Sequence, residues 1–246
     1  MLLVAAALGE ELETGMVLCR DQKKILSGSL SLRQATRGGK TISFLKTGVG
    51  PKRSAASLEE ALKVVTPSQI LVIGYAGALD PGLKLGSLVA VAKAISFSLD
   101  KSDPDWDHVR LEGEVELVHD ADLAHLAESA GISASTGSTL TSPYILGDPE
   151  RKRLLFEKFH ASIVDMETAA LAFIATAKAI PISCVRVISD EAKDTFLAPF
   201  SHDPSTNIPL RARKLLDSGI AKTYHEWKDH ASVAKESLSR FLSYYL

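Results

Sequence analysis

The chain has 246 residues, of which 46% are hydrophobic and 24% charged, with 28 Lys and Arg against 30 Asp and Glu and a net charge of −2. This is the composition of a globular protein with one sizeable core. The near balance of charge argues against binding to nucleic acid or to an anionic membrane. The apolar run Met1–Leu8 is too short to span a membrane and has no basic flank, so it predicts a first strand. We therefore expect a cytoplasmic protein that acts on a small molecule.

The two cysteines give no sign of a metal centre or a redox pair. Cys19 and Cys184 are far apart, and neither lies in a CxxC or Cys/His ligand spacing. Cys184 stands in an apolar run, which predicts a buried, reduced thiol. We expect no metal and no cofactor.

Short apolar runs alternate with stretches of helical periodicity, a pattern typical of parallel strands joined by helical crossovers. The apolar runs predict strands at Leu2–Ala7, Ile42–Lys46, Ile70–Gly74, Leu88–Ala94, Ile132–Thr139 and Ile182–Ile188. The periodic stretches predict helices at Glu10–Cys19, Pro51–Val65, Asp120–Ala130, Pro149–Phe159, Asp165–Ala179, Leu210–Trp227 and His230–Tyr245. Pro51 and Pro149 suit first helical turns, and Asp165 suits a helix cap. The fold class is therefore α/β.

The composition of two segments predicts irregular structure. Ser98–Val118 is dense in acidic and turn residues, which indicates a surface excursion, a substrate lid or a subunit contact. Phe196–Pro209 contains three prolines and predicts a long loop before a helical carboxyl-terminal hairpin at 208–246. Because no linker or repeat divides the chain, we predict one domain over residues 1–246.

Ligands of open parallel sheets bind beyond the carboxyl ends of the strands, so polar or glycine-rich residues just after apolar runs are the candidates for a site. Five such places follow predicted strands: Glu10/Glu11, Gly48–Gly50, Gly74–Gly77, Thr141–Ile145 and Ser189/Asp190. The Gly48–Gly50 loop precedes a helix, where backbone N–H groups can receive an anion or a sugar. It departs from the dinucleotide fingerprint, because Arg53 replaces the third glycine. A simple tight turn is the alternative interpretation of either glycine loop.

Three charged residues in or near predicted strands have two interpretations each. Glu167 falls on the apolar stripe of its predicted helix, where it is either a solvent-facing carboxylate at the helix start or an acceptor for two vicinal sugar hydroxyls. Arg186 and Asp190 lie on one side of the last strand. Arg186 needs an ion-pair partner, which is either Asp190 or another carboxylate. Asp190 is either that partner or a catalytic acid.

Taken in order, these segments resemble the family of purine nucleoside phosphorylases and methylthioadenosine/S-adenosylhomocysteine nucleosidases. The resemblance rests on Ala6–Leu12, Thr47–Pro51, Gly74–Val89 and, most specifically, on Val164–Ala170 together with Val185–Asp190. It implies a single-domain, three-layer fold with a mixed, mostly parallel central sheet flanked by helices. It also implies a homodimer or larger homo-oligomer.

The resemblance assigns roles residue by residue. It implies that Asp190 assists protonation of purine N7 beside Ser189, and that Glu11 activates water. The remaining predicted site residues would bind substrate. Glu167 and Met166 would hold the ribose, Tyr144 would stack on the base with Ile145 at its edge, Val49 would contact the sugar and its 5′ substituent, and Gly50, Tyr75, Ala76, Gly77 and Arg186 would complete the site.

The chain departs from the family at the position of the nucleophile. Tyr75 stands where family nucleosidases carry a small serine. The arginines with which family phosphorylases bind phosphate have no match after the first strand or in the Gly74–Gly77 loop, and Lys52 and Arg53 are either substitutes for them or exposed charges at a helix start. The stretch Gly74–Pro81 and the continuation Asp190–Pro199 also resemble a hopanoid-associated branch, whose proposed substrate is an adenosyl group on a polycyclic lipid.

Three hypotheses remain open. The leading one is hydrolysis of an adenosine-type nucleoside with a large or apolar 5′ group. The second is a phosphorylase, a glycosyltransferase that uses phosphate as co-substrate, including one acting on an adenosyl lipid. The third is a nucleoside-binding protein without turnover.

Overall fold

The protein, represented by a computed structural model, is described over residues 1–25, 30–98, 109–118, 122–195 and 218–246, with backbone alone for 218–228. The strands are β1 Leu2–Ala6, β2 Arg20–Ile25, β3 Ser31–Arg37, β4 Lys40–Lys46, β5 Gln69–Ala78, β6 Leu88–Ser98, β7 Arg110–Glu116, β8 Ala134–Thr141, β9 Ile163–Asp165 and β10 Ile182–Asp190. The helices are α1 Gly9–Met16, α2 Pro51–Leu62, α3 Asp122–Ser129, α4 Pro149–Phe159, α5 Thr168–Ala177 and α6 Ser218–Tyr245.

All of these strands belong to one ten-stranded sheet. The pairings β5–β10, β10–β6, β6–β8, β8–β9 and β9–β5 close a ring of five strands. The order β1, β4, β3, β2 extends from β5, and β7 pairs with β6. Among the described pairings, five are parallel and five antiparallel. The predicted mixed α/β sheet is confirmed, but parallel pairs are half of the described pairings and not the majority.

Four of the five antiparallel pairings involve β2, β3, β7 or β9, which the sequence analysis did not predict, and the fifth joins the predicted strands β10 and β6. β2 is almost fully exposed and mostly charged, and β7 exposes five of its seven residues. Both strands lie at sheet edges. β2 shows no apolar alternation, whereas β7 alternates charged residues with Leu111, Gly113 and Val115, and Val115 packs against the core. β7 occupies part of the predicted excursion Ser98–Val118, which is therefore wrong for residues 110–116. Residues 99–108 and 196–209 of the two predicted loops lie outside the described residues.

Helices cover both faces of the sheet. α2 and α5 pack on one face with Leu3 and Ala5, and α1, α3 and α6 pack on the other with Val4 and Ala6. Successive residues of β1 therefore face opposite layers, which explains why the strand is continuously apolar. α4 lies over a third, smaller core cluster at the end of the sheet. Asp148 caps α4 by accepting a hydrogen bond from the Glu150 N–H at 2.9 Å.

The carboxyl-terminal segment corrects one prediction. α6 is a single helix of 28 residues, where two helices in a hairpin at 208–246 were predicted, and residues 208–217 lie outside the described range. The predicted break fell at Lys228-Asp229, and neither of these residues interrupts a helix as Gly or Pro does. None of the helices within the described ranges is both long and apolar enough to cross a membrane.

Leu238→Ala tests the docking of α6. Leu238 is 0% exposed on the buried face of α6. We therefore expect the truncation to lower the free energy of unfolding by about 2–5 kcal/mol, because apolar burial is lost and a cavity remains. Val233→Ala, at a position 42% exposed on the same helix, should cost at most about 0.5 kcal/mol. Urea unfolding measures both, and equal losses would contradict this packing.

Candidate active site

A cavity of about 210 Å³ lies at the edge of the sheet where β1, β5, β8, β9 and β10 end. All of the predicted site residues line it except Gly50 and Arg186, which lie directly behind the lining. The lining consists of Ala7, Leu8, Glu11, Val49, Tyr75, Ala76, Gly77, Tyr144, Ile145, Leu146, Val164, Asp165, Met166, Glu167, Ser189 and Asp190. The chain thus brings residues from distant parts of the sequence to one place.

Glu11 is fixed at the start of α1. The Leu8 N–H donates to its Oε2 at 2.7 Å, and the Tyr75 N–H donates to its Oε1 at 3.0 Å. Burial raises the pKa of Glu11, and the positive charge of Arg186 and the two backbone hydrogen bonds oppose that rise. Glu11 is therefore a buried carboxylate with both oxygens oriented and a strengthened affinity for protons.

The turn between β9 and α5 presents Met166 and Glu167 to the cavity. Asp165 ends the strand, and its Oδ1 accepts hydrogen bonds from the N–H groups of Glu167 at 3.1 Å and Thr168 at 3.2 Å. The predicted cap is corrected: α5 begins at Thr168, so Glu167 and not Asp165 occupies the cap position, and Asp165 binds the N–H groups of the turn from two residues before it. Thr141 Oγ1 also donates to Asp165 at 2.8 Å, which ties this turn to β8.

Glu167 is buried and joined to the Gly48–Gly50 loop. The Gly50 N–H donates to Glu167 Oε1 at 2.9 Å, and Arg186 Nη2 donates to Oε2 at 3.5 Å. Burial raises the pKa of Glu167 to about 7, against the opposing effect of Arg186. The Gly50 N–H, which the sequence analysis offered to an anion, is instead bound to this carboxylate. Of the two interpretations of Glu167, the solvent-facing one is wrong.

Arg186 is 1% exposed and compensates several carboxylates. Its Nε lies 3.2 Å from Asp165 Oδ2, and its Nη2 lies 3.5 Å from Glu167 Oε2. Nη2 also donates to Thr168 Oγ1 at 2.8 Å. The alternative that Arg186 pairs with another carboxylate is confirmed, and its pairing with Asp190 is wrong.

Asp190 follows a register shift at the end of β10, opposite Gly77 of β5. Ser189 Oγ donates to its Oδ1 at 2.9 Å, and Lys152 Nζ donates to its Oδ2 at 2.6 Å. Lys152 is 0% exposed, and the sequence analysis missed it. The available signal was a lysine three residues before Leu155 and four before Phe156, on the apolar stripe of α4.

Gly74 and Gly77 are required because charged side chains lie so close to their backbone that a Cβ atom would collide with them. A Cβ at Gly74 would lie 2.5 Å from Arg186 Nη1 and 2.7 Å from Glu11 Oε1. A Cβ at Gly77 would lie 2.7 Å from Asp190 Oδ2. Between them, Tyr75 lines the cavity, packs against the core beneath α1 and α6, and has a buried hydroxyl with no hydrogen-bond partner among the described residues.

The cavity is acidic at its base and apolar at its mouth. Its lining holds four carboxylates, Glu11, Asp165, Glu167 and Asp190, and the described lining contains no Lys or Arg. Lys52 and Arg53 are exposed at the start of α2. Tyr144 and Ile145 stand at the mouth, where Ile145 is 41% exposed. This arrangement suits a neutral sugar and base with an apolar extension better than an anion.

Comparison with known proteins agrees with this arrangement. The sequence matches the phosphorylase superfamily over residues 3–238. It is 25% identical over 224 residues to a 5′-methylthioadenosine/S-adenosylhomocysteine nucleosidase of Lysinibacillus sphaericus, covering 85% of this chain and 96% of that protein. It is 24% identical over 207 residues to an aminodeoxyfutalosine nucleosidase of Campylobacter jejuni, covering 77% and 85%. The fold matches that of Helicobacter pylori 5′-methylthioadenosine/S-adenosyl homocysteine nucleosidase with a TM-score of 0.74 at 20% identity, covering 98% and 95%.

Glu167→Gln tests the burial of this carboxyl group. Its pKa rises from 4.5 to about 7 on folding, so between these pH values the folded protein keeps a proton that the unfolded chain has lost. The stability that this proton contributes is present below pH 4.5 and is lost as the pH rises through 7, by about 3 kcal/mol. Glutamine does not titrate. The stability of the variant relative to wild type should therefore increase over this range in urea unfolding, and a constant difference would contradict the assignment.

Proposed function

The chain belongs to the phosphorylase superfamily, and we propose that it is a nucleosidase that hydrolyses the N-glycosidic bond of an adenosine-type nucleoside with a 5′ substituent. One observation carries this proposal: Asp190, Glu167 and Glu11 converge on one cavity whose described lining contains no cation. The nucleosidase names of its relatives support the same conclusion.

Asp190 serves as the leaving-group acid. A purine leaves poorly as an anion and well once N7 carries a proton. One oxygen of the Asp190 carboxyl group accepts a hydrogen bond from Ser189 and the other accepts one from Lys152. These two hydrogen bonds fix the orientation of the carboxyl group. A fixed acid facing the base is what this step requires.

Glu167 holds the ribose. Because its Oε1 is bound to the Gly50 N–H and its Oε2 faces Arg186, the carboxylate is fixed on the lining. It accepts hydrogen bonds from the vicinal sugar hydroxyls, and these bonds strengthen as positive charge develops at the ribosyl centre.

Glu11 positions and deprotonates the attacking water. Its raised pKa makes it a stronger base than an exposed carboxylate. Phosphorolysis is the less favoured alternative, because a phosphate dianion in the cavity would lie beside Glu11 and Glu167 with no cation in the described lining.

The 5′ substituent extends toward the apolar side of the cavity, which Leu8, Val49, Leu146 and Met166 line. This surface fits an alkylthio group or a larger apolar chain. The hopanoid-associated assignment, the cytoplasmic location, the homo-oligomer and the absence of a cofactor stay predictions.

Product analysis tests hydrolysis against the alternatives. We expect the wild-type protein to release adenine from methylthioadenosine or S-adenosylhomocysteine at the same rate with and without inorganic phosphate, and to form the free sugar. Chromatography of base and sugar measures both products. Sugar 1-phosphate formed only with phosphate would assign a phosphorylase, and tight nucleoside binding without base release would assign a binding protein.

Asp190→Asn tests the acid. Asparagine keeps the shape of the side chain but has no proton to give to N7, so we expect base release to fall by at least about 100-fold while nucleoside affinity by calorimetry stays within about threefold. Asp21→Asn is the matched control, because Asp21 is an exposed residue of β2 and its loss should leave turnover unchanged. Unchanged turnover in Asp190→Asn would remove Asp190 from the mechanism.

A further inference from the structure

We propose that Lys152 is a positioning residue of this reaction, whose ammonium group holds Asp190 in place and stabilises the carboxylate that forms when Asp190 protonates the base. This inference rests on the proposed function. It assigns a role to a residue of α4 that lies behind the cavity lining.

The contact is direct and buried. Lys152 Nζ lies 2.6 Å from Asp190 Oδ2, with side chains 0% and 8% exposed. Nζ also donates to the Glu191 carbonyl oxygen at 2.9 Å, so the ammonium spans the end of β10. Lys152 and Asp190 are 38 residues apart in the sequence, and their pairing depends on the docking of α4 against the sheet.

Packing alone does not account for a lysine at this position. A fully buried lysine is rare, and its desolvation costs several kcal/mol that an ion pair only partly offsets. The neighbouring face of α4 is apolar, with Leu155 in the same core cluster as Leu140 and Val164. Apolar side chains at both position 152 and position 190 would pack there at lower cost than this ion pair, so the presence of the pair indicates that its charge is used.

The charge acts where negative charge develops. As the glycosidic bond breaks, its electron pair passes to the purine, and the proton of Asp190 passes to N7, which leaves Asp190 ionised. Lys152 then faces a full carboxylate and keeps its own proton, and Asp190 regains a proton from solvent after the base leaves. An interaction that is stronger in the transition state than with bound substrate raises kcat and not substrate affinity.

The other charged groups around Asp190 sharpen this role. Glu11 from α1 and Glu167 from the turn before α5 line the same cavity, and both oppose a new negative charge. Arg186 is held on the far side by Asp165, Glu167 and Thr168. Of the described cations, Lys152 is the one in contact with Asp190.

The test separates charge from geometry with Lys152→Gln, which keeps a hydrogen-bond donor but removes the charge. With methylthioadenosine as substrate, we expect kcat to fall by about 100-fold and KM to stay within about threefold. Lys152→Arg, which restores the charge, should recover kcat to within about tenfold of wild type. Lys158→Gln, at an exposed position of the same helix, is the matched control and should behave as wild type.

Circular dichroism and thermal unfolding establish that each variant is folded, and Lys152→Met provides a second uncharged variant if the glutamine variant is not. The inference is overturned if the uncharged variant keeps its kcat, if it changes KM alone, or if arginine restores nothing. Wild-type protein that releases no adenine would instead reject the proposed function, so the two failures are distinguishable.

Discussion

The buried guanidinium of Arg186 is the constraint on which the site depends. A cation inside β10 cannot remain unpaired, and its partners come from separate elements: Asp165 at the end of β9 and Glu167 before α5, with Glu11 of α1 nearby. The same group lies against bare backbone at Gly74. Without it, three buried carboxylates would face one another. The positive charge of Arg186 therefore lets the proposed sugar acceptor and the proposed base lie buried side by side, while backbone N–H groups orient their oxygens.

Much of this arrangement was predictable because strands that are buried on both faces have continuously apolar sequences. β1, β5 and β10 are buried on both faces and appear as continuous apolar runs, so their carboxyl ends could be located and the residues beyond them examined. Glu11 and Asp190 were found in this way. The glycine loops were equally visible, although their purpose, room for Glu11, Arg186 and Asp190, required the structure.

What escaped prediction has physical reasons. β2 is an exposed edge strand without an apolar face, and β7 is an edge strand whose short apolar alternation stands among acidic residues typical of a surface loop. The closure of the strand ring depends on pairings between residues distant in sequence. Lys152 resembled one more charge on a polar helix until the docking of α4 placed it against Asp190. Two helices, Leu210–Trp227 and His230–Tyr245, were predicted where α6 is continuous over Ser218–Tyr245, because hydrophobic periodicity locates helix faces better than it locates helix ends.

The closed ring of strands determines which parts of the site are able to change shape. β10, which carries Asp190, is hydrogen-bonded to β5 on one side and β6 on the other, so the proposed acid and the glycine loop opposite it cannot slide apart. Tyr144 and Ile145 lie instead on a connection between elements. Replacement of residues on this connection can thus change the shape of the mouth, while the strands that carry Asp190 and the glycine loop stay unaltered. The part of the cavity that can vary with the bound molecule is therefore the connection at its mouth, and the part that stays constant is the ring of strands.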